Sequence, residues 1–241
     1  MAFDSQNRST ARPASWAEID VGLRQHMLRV YNYMSGGLML TGVIAWFAST
    51  PVIARAIYGT PLMWLVMLAP LGLVFFLSYR IQSMSLGAAQ ATFWGYSALM
   101  GLSLGFIFLV YTGASIFSTF FITAAMFLGM SLYGYTTKRD LTGVGSFLVM
   151  GLWGIIIASL VSVVMAMFGV PSAALQFVIS IVGVVVFTGL TAWDTQQIKE
   201  MYLASDDDVV AGKKAIMGAL RLYLDFINLF LMLLRLMGQR R

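Results

Sequence analysis

Long apolar runs separated by short polar breaks fill nearly the whole chain from residue 30 onward. A helix needs about 20 such residues to cross a hydrocarbon layer, and it must satisfy its own backbone there. Seven runs meet that length, over about 30–48, 61–79, 86–110, 115–135, 141–168, 173–193 and 215–237, with Pro51, Arg80, Lys138, Arg139 and Lys199 at their borders. The pattern predicts an all-α polytopic membrane protein folded as a seven-helix bundle. Residues 1–24 form a polar N-terminal tail without an apolar core, and residues 25–241 form the transmembrane domain. In the third run Gly87, Ala91 and Gly95, then Ser97, Gly101 and Gly105, recur four apart and so share helix faces. Small residues there let helices approach closely, either inside the molecule or at a seam between copies.

Composition agrees with a membrane solvent. Of 241 residues 59% are hydrophobic and only 10% charged, and the mean hydropathy is +0.83. A net charge of +5 would suit nucleic acid if the cations were clustered, but they stand singly between apolar runs, so a nucleic-acid partner is not expected. Lys and Arg instead gather in alternate loops: Arg24 and Arg29, Arg80, Lys138 and Arg139, then Lys199, Lys213 and Lys214, with Arg55 alone on the other side. That asymmetry predicts a cytoplasmic N-terminus. A fully spanning last helix would carry Arg240 and Arg241 to the opposite side, so it either crosses with a charge conflict or re-enters.

Cysteine is absent, which removes disulfides, thiolate metal sites and cysteine nucleophiles together. The single histidine, His26, forms no zinc cluster and is expected at an interface or in a loop. The run Asp206-Asp207-Asp208 lacks the ligand spacing of an EF-hand and reads as a solvated helix cap. The 17 methionines show no repeated spacing and read as packing. Trp16, Trp46, Trp64 and Trp193 fall near span ends, as interfacial anchors do.

The candidate chemistry lies in two carboxylates set in apolar surroundings, Asp194 near the end of the sixth run and Asp225 within the seventh. An ionised carboxylate there is costly without a partner. Arg221, Asp225, Asn228 and Arg235 follow at offsets of 4, 3 and 7 residues, a polar stripe on an otherwise apolar helix. Such a stripe faces a bundle interior or a water-filled cavity, which predicts that the last helix is central. In one reading Asp225 pairs with Arg221 within its helix, and Asp194 either snorkels at the membrane edge or pairs with a loop cation. In the other, Asp194 and Asp225 meet at the cytoplasmic mouth of a central cavity, share a proton and so register pH. When both are ionised they, with neighbouring oxygens, form a calcium site rather than a soft-metal site. Arg80 is either a counter-charge that holds a closed state or a cytoplasmic flank.

The segment 188–198, with Trp193-Asp194-Thr195-Gln196, and the run Leu222-Tyr223-Leu224-Asp225-Phe226-Ile227-Asn228-Leu229-Phe230 resemble signature stretches of the transmembrane Bax inhibitor motif family, also called the Bax inhibitor-1 family. Tyr135-Thr136-Thr137-Lys138-Arg139-Asp140-Leu141 before a glycine-rich helix resembles its bacterial branch. The resemblance implies seven helices with the last encircled by the other six, in a bacterial inner membrane. It also implies a non-enzymatic, pH-sensitive calcium leak without a cofactor, in which Asp194 and Asp225 are the sensor and Arg80 the latch. The resemblance also implies a link to a membrane-anchored ATP-dependent protease of FtsH type, either as its substrate or as its modulator, and the polar N-terminal tail would be the handle such a protease grips. Two aspartates on adjacent helices are also found in intramembrane aspartyl proteases, but neither a Gly-x-Gly-Asp nor a Pro-Ala-Leu element occurs here.

Overall fold

The computed structural model describes residues 16–241, with side chains from residue 21 onward. Among the described residues nine helices follow one another: α1 (Trp16–Ala48), α2 (Pro51–Tyr58), α3 (Leu62–Arg80), α4 (Leu86–Leu104), α5 (Ile107–Val110), α6 (Gly113–Thr136), α7 (Thr142–Met167), α8 (Ala173–Glu200) and α9 (Asp208–Met237). Their starts are written locally. Ser85, Thr112, Ser172 and Asp207 each accept a backbone N–H from the first turn of α4, α6, α8 and α9, satisfying donors that a helix leaves open. Gly169, at φ 78°, turns the chain between α7 and α8 in a backbone region that suits glycine.

Helices α3, α6, α7, α8 and α9, and the stretch 86–110 that joins α4 to α5, are each long and apolar enough to cross a membrane. A seventh candidate span, formed by α1 with α2, differs from its expected outline. Helix α1 begins at Trp16, so the second part of the expected polar tail is helical, while residues 1–15, on which a protease handle would lie, are outside the described residues. At its other end α1 bends by 92° into α2, a short helix opened by Pro51. Proline lacks an N–H, and at a first helical position none is needed.

The last helix is central: 72% of its most apolar stretch is buried, against 17–33% in the other five single spans. It is not encircled by six helices, however. It packs on α1, α4, α6 and α8, whereas α3 lies chiefly on α4 and α7 on α8. Those two outer helices present Leu65, Phe75, Phe147, Trp153 and Val164 outward, an apolar surface that suits lipid. Lipid tails supply no hydrophobic force between helices, so association relies on close packing. Gly101 meets the backbone of Thr41 and the side chain of Ile44, Gly134 meets the backbone of Ala192, and Gly183 meets Met232. Gly87 and Gly95, in contrast, have nothing beside them, so of the two small-residue stripes on α4 the one with Gly101 is the packing seam.

Helix ends sort into two sets. At one end Tyr58 of α2 donates to Leu102 O, and the chain terminus joins the α5–α6 corner through Thr112 N to Gln239 O (3.0 Å), Arg241 N to Val110 O (2.9 Å) and the isolated bridge of Tyr111 with Arg240. At the other end three lysines donate to carbonyls near helix C-termini at 2.9–3.0 Å: Lys199 to Tyr135 O, Lys213 to Gln82 O and Lys214 to Met201 O. Cations suit those positions because the last carbonyls are unpaired and carry the negative end of the helix dipole. Helix α9 therefore runs unbroken between the two ends, and the alternative of re-entry is not what forms.

Candidate functional site: a buried carboxylate pair

Helices α8 and α9 lie along one another, and this brings Asp194 and Asp225 together. Their carboxyl groups stand within hydrogen-bonding reach of each other. Asp225 is 4% exposed, and its Oδ2 meets no hydrogen-bond donor among the described protein groups. Two carboxylates offer only acceptors, so their contact becomes a hydrogen bond when one of them carries a proton.

Arg221 is the cation at this site. Its Nη1 lies 3.9 Å from Asp194 Oδ1, with side-chain exposures of 40% for the arginine and 13% for the aspartate. This is an ion pair across helices, too long for a hydrogen bond, and it replaces the expected pair of Arg221 with Asp225. The three groups form a graded path from the exposed guanidinium to the buried carboxyl.

Arg80 does not take the counter-charge position in this structure. It lies exposed at the end of α3, and its carbonyl accepts from Ser83 and Met84; neither ion pair among the described residues involves it. Asn228 turns its amide onto its own helix, donating to Leu224 O at 2.8 Å. Arg235, at the last turn of α9, is exposed, so the polar stripe is buried around Asp225 and opens at its end.

Calcium favours six to eight oxygen ligands. Among the described residues no group of three or more His, Asp or Glu side chains is disposed to hold a metal, and the pair has a guanidinium beside it. This donor set does not fit a resident calcium ion. Two cavities of about 420 and 370 Å³ lie along α1, and neither is lined by the pair.

The surroundings contain further polar side chains, Thr195 and Gln196 of the same stretch among them, whose partners the linear order of residues does not show. Thr195 donates to Thr191 O at 2.7 Å; its hydroxyl then accepts from Ser131 at 3.0 Å, and Ser131 accepts from Tyr31 at 2.6 Å. This directed relay ties α1, α6 and α8 together immediately beside Asp194. The buried Gln196 accepts from Leu141 N and donates to Arg139 O, both at 2.8 Å, fixing the α6–α7 corner. Thr191 and Thr195, four apart in an apolar helix, were the signal for that inner face. His26 is buried, at 6% exposure, beside Tyr202, rather than in a loop. Trp193 packs over Gly145 of α7 rather than anchoring an interface, whereas Trp46 and Trp64 are exposed near span ends as expected. Asp207 caps α9 through Val210 N at 2.7 Å.

Comparison with known proteins places this geometry among relatives. Residues 23–241 match the family described as inhibitor of apoptosis-promoting Bax1. An uncharacterized protein of Rickettsia prowazekii is 50% identical over 223 residues, 92% of each chain. The inner membrane protein YbhL of Escherichia coli is 50% identical over 224 residues, 91% of this chain and 94% of its own. An uncharacterized protein of Caulobacter vibrioides is 42% identical over 98% of both chains.

Proposed function

Because the chain belongs to the family of Bax1 inhibitors, the Bax inhibitor-1 family, we propose that it is a pH-sensitive, calcium-permeable leak of a bacterial inner membrane, gated by Asp194 and Asp225. The observation that carries this reading is the approach of two carboxyl groups, from helices distant in sequence, in a place from which solvent is nearly excluded. The relative YbhL is named an inner membrane protein, and the Lys- and Arg-rich end of the bundle favours a cytoplasmic N-terminus.

The charge count sets the direction. With one shared proton the pair carries a single negative charge, balanced by Arg221, and the helices stay together. Loss of that proton leaves two like charges in contact against one cation. Their repulsion favours separation of α8 from α9, and their surplus negative charge draws a hard divalent cation to the site. Calcium passes as cargo, with Asp194 and Asp225 as its transient oxygen ligands.

Purified protein in liposomes tests the proposal by calcium flux across a pH series. Flux should rise as pH climbs through the titration of the pair. Asp225→Asn and Asp194→Asn should each flatten that dependence. If both variants keep the wild-type flux and its pH profile, the reading fails.

A further inference from the structure

On the lateral face of the bundle, away from the carboxylate pair, α1 and the edge of α4 border an open groove of about 420 Å³ lined by Gln25, Leu28, Arg29, Asn32, Tyr33 and Trp94. Its one charged wall is the exposed Arg29, which meets no carboxylate among the described residues. The other polar walls are two amides and a phenol. Gln90 donates to the Tyr33 hydroxyl at 2.6 Å, which leaves that hydroxyl its own proton to donate. Trp94 is seated on Gly36 of α1, so the indole is a fixed wall.

Gln25, Arg29 and Asn32 lie on one stripe of α1, at offsets of 4 and 3 residues, and farther along the outer face of the same helix stand Met39, Val43 and Trp46, all at least half exposed. The stripe thus passes from donors and positive charge to bare apolar surface, the same order in which an anionic phospholipid passes from phosphate to acyl chain. We infer that this groove binds a phospholipid with a net negative headgroup. Its phosphate is held by Arg29 with the amides of Gln25 and Asn32 and the Tyr33 hydroxyl, its glycerol lies against Trp94 and Leu28, and a chain runs along the Met39 and Val43 face. Basic recesses between spanning helices on the positively charged side suit such headgroups, because their attraction is little screened beside a low-dielectric layer.

The test uses the full chain in phosphatidylcholine vesicles containing a small fraction of brominated phosphatidylglycerol or, separately, brominated phosphatidylcholine, with tryptophan quenching as the readout. The Trp94 component is the difference between wild type and Trp94→Phe. It should report a preference for the anionic lipid of about fivefold, the factor that one basic side chain supplies at such a surface. Arg29→Gln, a change at an exposed position, should reduce the preference to about one while helical circular dichroism is unchanged. Arg55→Gln, at the other end of the bundle, should leave it intact. Equal quenching of Trp94 by the two lipids, or a preference that survives Arg29→Gln or disappears in Arg55→Gln, would overturn the assignment. Added inorganic phosphate should not compete; if it does, the site is one for soluble phosphate and the lipid assignment is wrong.

Discussion

Arg221 stands four residues before Asp225 on α9, yet its guanidinium approaches Asp194 on α8, at 3.9 Å. The cation thus serves the more exposed member of the pair, and it favours the ionised form of the two carboxyls as a unit. Replacing it with glutamine removes that support, so deprotonation becomes harder. Under the gating proposed above, the rise of calcium flux in Arg221→Gln moves to higher pH. A flux profile that stays in place, or moves to lower pH, contradicts the assigned role.

A second pH response is expected outside the membrane. Asp140 Oδ1 accepts from Thr142 N at 2.8 Å at the start of α7, and the Thr142 side chain together with this N–H holds its carboxyl below the usual aspartate range. A lowered folded value means that the contribution is present above the unfolded value and is lost as pH falls through the folded one. Hydrogen exchange at the Thr142 amide should therefore show extra opening under acid conditions, absent as a pH effect in Asp140→Asn. Because Asp140 lies on the α6–α7 corner, that variant should leave the pH dependence of flux intact.

Close packing beside the pair gives a stability prediction. A Cβ at Gly134 would strike the backbone of Ala192, two residues before Asp194, whereas one at Gly72 would meet open space. Gly134→Ala should destabilise the bundle by about 1–3 kcal/mol, read as a lower unfolding midpoint in a denaturing detergent titration. Gly72→Ala should hold or raise that midpoint, since alanine is the better helix former.

The hydroxyl of Thr41 donates its one proton to Ser97 O at 2.8 Å, so at the 2.6 Å contact with Tyr223 the phenol is the donor. This joins α1, α4 and α9 at one point, with Tyr96 edge-on to Tyr223. Tyr223→Phe keeps the ring and removes the bond, at a cost of about 0.6–1.5 kcal/mol. The same detergent titration checks it, and an unchanged midpoint would mean that the contact adds nothing net.

Much of the bundle was legible because spanning helices announce themselves by length and apolarity alone. The central place of α9 was legible too, since Asp225 inside an apolar run has to face inward. The meeting of Asp194 with Asp225 follows from the same cost. The identity of the counter-charge was not, because Arg80 and Arg221 are both plausible along the chain and only the packing of α8 on α9 puts one of them beside the carboxylates. Arg235 left the expected buried stripe because it sits at the last turn, where a cation complements unpaired carbonyls without burial. His26 was misplaced because a polar residue in the amphipathic early part of α1 reads as exposed, while the structure turns it toward Tyr202. The right-angle departure of α2 gave only Pro51 as its sign, and a proline marks a break without giving its angle.

The stitching of Gln239 and Arg241 to the α5–α6 corner limits how the central helix can move. A piston stroke of α9 along its own axis would tear those main-chain bonds, whereas a tilt about them would not. Any opening at the carboxylates is thus a lever swing with its fulcrum at the C-terminal end, largest where the lysine clamps let go.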